Sequence, residues 1–120
     1  MQPEERDAAY LWDMLEAGRE AVAFTTDISF EAYSHDRMRQ RAVERAIEIV
    51  GEAARRVSED FRQAHPDIPW RPIIAQRHVL AHEYGEILQE RIWRVATVHL
   101  PALIAQLEPL IPPLPPEAAE

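Results

Sequence analysis

Between positions 4 and 24 the apolar residues Ala8, Leu11, Trp12, Leu15 and Val22 recur at intervals of three and four, the spacing that lines one face of an α-helix. The pattern predicts an amphipathic helix of about five turns, with Gly18 a mild weak spot in its middle. Thr25-Thr26-Asp27 ends it, and Ser29-Phe30-Glu31 opens a short helix or turn carrying Tyr33. Ser34 or Asp36 is the predicted N-cap of the next helix, which runs to about Ser58. Along it Val43, Ile47, Val50, Ala54 and Val57 share a stripe with Ala42, Ala46, Ile49 and Ala53, covering about 160° of the helical wheel. Glu44, Glu48, Glu52, Arg55 and Arg56 take the other side, and Glu44 and Glu48 are expected on a solvated face. A stripe that wide touches two neighbours at once, which makes this the central core helix.

Ser58 to Asp67 reads as a short helical turn closed by the breaker His65-Pro66-Asp67. Pro69 and Pro72 suit the opening turn of a helix, where missing amide protons are not needed. That helix is predicted to run to about Tyr84, with Gly85 as its C-terminal cap, since a left-handed backbone costs glycine little. Ile87 to Ile111 is again apolar at helical spacing, interrupted or kinked at Pro101. Pro112 to Glu120 reads as an extended, mobile tail, and its Pro-x-x-Pro pattern needs no peptide-binding partner. Nothing alternates with period two, and no segment repeats. The expected fold is all-α: an up-and-down bundle of four main helices with short additional helices, one domain over residues 1–111 followed by a tail at 112–120.

Composition narrows the class. A chain of 120 residues with 47% apolar side chains can bury a core as one domain. The absence of cysteine excludes disulfides and thiolate metal sites and fits a reducing cytoplasm. No apolar run approaches the roughly 20 residues of a membrane helix, and the opening Met1-Gln2-Pro3-Glu4-Glu5 is acidic, unlike a secretory signal. The expected location is cytoplasmic. The formal net charge of −8 cuts against broad phosphate binding, because proteins that grip nucleic acid are basic on at least one face. Any contact with nucleic acid must therefore be local.

The chemistry concentrates in Arg77-His78-Val79-Leu80-Ala81-His82-Glu83-Tyr84-Gly85. On a helix His78 and His82 fall within about 40° of each other, and Arg77 stands about 140° from His82. A neutral imidazole at position 82 can take a proton from a ribose 2′-hydroxyl or deliver one to a leaving 5′-oxygen. The guanidinium of Arg77 can hold a non-bridging phosphate oxygen. The plain alternative is a surface histidine at a helix end, favourable with the helix dipole and otherwise idle. His78 and His82 could also share a zinc ion with Glu83 or Glu86, but a further ligand at helical spacing is lacking, so no metal and no other cofactor is expected. Trp70, Trp93, Arg91, Arg94 and His99 could stack on bases and touch phosphates; Trp12, Trp70 and Trp93 read rather as core or interface.

Arg-x4-His-x-Tyr, here Arg77, His82 and Tyr84, resembles the signature of HepT-type toxins in the HEPN superfamily of small all-helical ribonucleases. The blocks Glu44 to Ala53 and Ile68-Pro69-Trp70 resemble that family too. The resemblance implies a toxin of a toxin–antitoxin pair, a metal-independent endoribonuclease with Arg77 and His82 catalytic. It implies a cognate minimal nucleotidyltransferase antitoxin that adds AMP to Tyr84, and a homodimer with a shared cleft. The family often carries asparagine after the arginine; His78 departs from this, and its roles stay open: assisting catalysis, binding phosphate, or none. The alternative, from a different class, is a non-catalytic HEPN module that binds a nucleotidyltransferase or a nucleotide.

Overall fold

The computed structural model describes residues 5–82 and 89–112, side chains included except at 77–82. The described part is helical, with no strand among its residues. Four long helical segments and two short ones appear, so the all-α bundle expected from the periodicity is what the chain forms. Helix α1 (Glu5–Thr25), the short α2 (Phe30–Ser34) and α3 (Arg37–Arg56) come first. The short α4 (Glu59–Ala64) and α5 (Trp70–His82) follow. The last segment is composite: α6 (Gln89–Arg94), a π turn at Val95–His99, α7 (Leu100–Leu107) and a closing 3₁₀ turn at Glu108–Leu110.

Helix α3 is the axis. Val43, Ile47, Val50, Ala54 and Val57 are all buried, as their stripe predicts, and α3 packs on both α1 and α5. Helices α1 and α3 are antiparallel, tied at both ends. At one end Arg39 donates to the Phe24 carbonyl at 2.8 Å. At the other, Asp7 in the first turn of α1 accepts from the Ser58 backbone N–H at 2.8 Å and from its hydroxyl at 2.6 Å. Ser58 is itself the N-cap of α4, its oxygen accepting from the Phe61 N–H. Asp36 caps α3, taking the Arg39 N–H at 3.0 Å. Those bonds to Arg39, backbone first and side chain second, hold the Asp36 carboxyl below its usual range.

Asp27 stops α1 with a φ of 65°, a left-handed backbone that aspartate tolerates better than most residues. Gly18 is more than a weak spot in α1. It faces α7, where an added Cβ would lie 3.6 Å from Ile104 and 4.0 Å from Leu100. Pro101 leaves its mark as a register change rather than a break. Proline has no N–H to return to the preceding turn, and just before it the Leu100 N–H reaches back five residues to the Val95 carbonyl. The π turn absorbs the defect and the helix continues.

Candidate functional site

Helix α5 carries Arg77, His78 and His82, and His82 is the last described residue of that helix. The backbone therefore places the three on one continuous helix, as the sequence implied. Their side chains, and Tyr84 and Gly85 altogether, lie outside the described residues; so do Ile87, Leu88 and the tail beyond Pro112. Among the described residues no group of three or more His, Asp or Glu could hold a metal ion. His78, His82, Glu83 and Glu86 fall outside that search.

A polar network joins three other elements of the bundle. Gln89, where the described chain resumes, lies among α2, α3 and α6. The Tyr33 hydroxyl donates to Gln89 Oε1 at 2.7 Å, and Gln89 Nε2 donates to Glu44 Oε2 at 2.8 Å. Arg41 closes the chain on Glu44 Oε1 at 2.9 Å. Tyr33 is fully buried, and its backbone carbonyl accepts from the Gln40 side chain at 2.9 Å. Burial, and after it the charge of Glu44, raises the Tyr33 pKa well above the ordinary phenol value. Phe30 and Trp93 close over Tyr33 at ring separations of 6.3 and 5.1 Å, which clamps α6 to α2.

This network corrects one expectation. Glu44 is 9% exposed, not part of a solvated face. Glu48 does lie at the surface, paired with Arg45 at 3.3 Å. Sequence periodicity missed Glu44 because its partner Gln89 is 45 positions away; the only local hint was its place one turn from buried Ile47. The tryptophans follow expectation: Trp70 is buried in the core, and Trp12 and Trp93 pack against it half-buried.

The charge balance is uneven in space. Every one of the 13 basic residues is arginine. Six of the twelve arginines with described side chains pair with carboxylates: Arg41 with Glu44, Arg45 with Glu48, Arg55 and Arg56 with Glu52, Arg19 with Glu108, and Arg39 with Asp36. Arg91 and Arg94 on α6 are exposed, as is Arg37 at the start of α3. Among the described residues no ion pair involves these three. Both α2 and α3 touch α6, so these three arginines sit on neighbouring elements.

With that geometry in view, the comparisons with known proteins are decisive. The family model for HepT-like ribonucleases matches residues 14–110. The chain belongs to the HepT-like ribonuclease family. It is 38% identical to a "Probable ribonuclease HepT" of Thermococcus cleftensis over 84% of this chain and 92% of the relative. Two proteins of Methanocaldococcus jannaschii named as candidate RNases are each 34% identical, covering 83% and 91% of this chain and 92% and 90% of theirs. No solved structure gives a significant match. As a member of this family the chain is a ribonuclease, and among its described residues no helix is long and apolar enough to cross a membrane.

Proposed function

We propose that this HepT-like ribonuclease is a metal-independent endoribonuclease toxin that cuts RNA with Arg77 and His82 and is silenced by AMP on Tyr84. The observation that carries the reading is the coincidence of Arg77 and His82 on the last turns of one helix, in a chain of this family. In the reaction the ribose 2′-oxygen attacks the neighbouring phosphorus and the bond to the 5′-oxygen breaks. The products are a 2′,3′-cyclic phosphate and a free 5′-hydroxyl. His82 accepts the 2′ proton or supplies the proton that the leaving 5′-oxygen needs. Arg77 stabilises the charge that grows on the non-bridging oxygens.

One imidazole cannot fill both proton roles at the same instant. A two-fold dimer that brings the ends of two α5 helices together supplies a second His82 and a second Arg77. It also joins two copies of Arg91 and Arg94, which gives an acidic protein a local cationic surface.

The silencing partner is a minimal nucleotidyltransferase. An adenylyl phosphodiester on Tyr84, two residues from His82, puts negative charge and bulk where the RNA phosphate must sit. Co-expression with such an enzyme adds one AMP mass to the peptide carrying Tyr84 and abolishes cleavage, and Tyr84→Phe escapes both. AMP on another residue, or unchanged cleavage by the modified protein, contradicts this.

A further inference from the structure

Below the Arg77 turn a cleft of about 320 Å³ opens between α3, α5, the π turn and α7. Its walls are apolar, from Ile47, Ile73, Val95 and Leu103, while Gln76 and His99 supply polar groups. The Oε1 atom of Gln76 is buried there without a hydrogen-bond partner among the described residues, whereas the nearby Gln106 amide is already engaged, donating to the Asp67 carbonyl at 3.0 Å. An acceptor buried and unpaired is a standing cost that a ligand N–H would remove. His99 is exposed. Gln76 directly precedes Arg77 in the chain, and Ile73 stands one turn before Arg77 on the same face of α5.

We propose that this cleft takes one base of the RNA strand cut at Arg77 and His82, and so sets sequence preference. The idea rests on the nuclease reading above. A nucleobase edge offers an N–H beside an acceptor, which matches the two ends of the Gln76 amide. The aliphatic walls cover the ring faces, and the His99 imidazole stacks at the mouth. Three observations favour this occupant. An aliphatic side chain from a second copy would leave Gln76 Oε1 unpaired. The cleft is at the small end of ligand sites, right for one ring system rather than a folded segment. The π turn, a feature common at functional sites, sits in its wall. A base held this way also relieves the charge difficulty, since affinity then comes partly from an uncharged contact rather than from phosphate alone.

The test uses the full chain carrying His82→Ala, which removes cleavage, titrated calorimetrically with the four 3′-nucleoside monophosphates and with inorganic phosphate. Saturable binding that differs among the bases and exceeds that of phosphate is expected. Gln76→Leu, matched in size, should weaken the favoured nucleotide roughly tenfold or more. Ala102→Phe, which fills the cleft from an exposed position of α7, should do the same without disturbing the core. Equal binding of phosphate and nucleotides, or unchanged affinity in both variants, overturns the proposal. So does an Ala102→Phe protein that loses self-association yet still binds nucleotide, since the cleft is then a contact between copies. The two readings separate cleanly. In the otherwise unmodified enzyme, RNA cut with unaltered sequence preference after Gln76→Leu defeats the base site and leaves the nuclease. Base-selective binding by the His82→Ala chain, when the native chain cuts no RNA, supports the site and defeats the nuclease.

Discussion

Asp7 accepts from both the backbone and the hydroxyl of Ser58, so losing its carboxylate strands two donors at once. Asp7→Ala should lower unfolding stability by about 1–3 kcal/mol, read from the urea midpoint with an unchanged slope. An effect near zero would mean that water replaces the carboxylate freely. Tyr33 makes a pH prediction. Its folded pKa is raised by burial and by Glu44, so its contribution is complete below the unfolded value of about 10 and declines as pH climbs beyond it. Stability of the native chain should fall above about pH 10, and Tyr33→Phe should flatten that fall. Equal slopes in the two proteins would show that the phenol is not held neutral. Neither role was legible in the sequence. Asp7 and Tyr33 are ordinary helix residues until Ser58 and Gln89, 51 and 56 positions away, are brought to them.

The elements themselves were far more legible. The stripe on α3 is a local property, since apolar residues at helical spacing leave one way to be buried, and every residue from Val43 to Val57 expected on its centre is there. Asp36 as a cap follows equally from its side chain. The π turn did not follow. Pro101 announces a lost hydrogen bond, but whether a helix breaks, kinks or changes register depends on the packing that holds it, here Leu100 and Leu103 in the core. Glu44 failed for the same kind of reason: its position at the stripe's edge is solvated or buried according to what crosses it. Gly18 gives the element-level prediction. Its surroundings leave ordinary contact distance for a methyl group, so Gly18→Ala should stabilise by about 0.5–1 kcal/mol through helix propensity. A lower melting temperature would show instead that α1 and α7 need the glycine's close approach.

At the scale of the molecule the difficulty is how a chain of net charge −8 holds a polyanion. The proposed answer is local cation supply at one end of the bundle, doubled by a second copy. Sedimentation at micromolar concentration should report a dimer, and cleavage should fall off as dilution drives it to monomer. Full activity in a stable monomer would confine the site to one chain. Family membership could be read from Arg77, His82 and Tyr84 with their flanking blocks. The network of Glu44 with Gln89 and Tyr33 could not, because it is assembled from three separate helices.

In the proposed reaction α5 cuts RNA by internal attack, with His82 moving the proton and no metal taking part. End-group analysis of RNA incubated with the purified chain in excess EDTA measures this most directly, beside His82→Ala of equal helicity. The native chain should leave 2′,3′-cyclic phosphate and 5′-hydroxyl termini, and the variant should leave the RNA intact. Cleavage lost to EDTA, cleavage kept by His82→Ala, or termini carrying 5′-phosphate would contradict it.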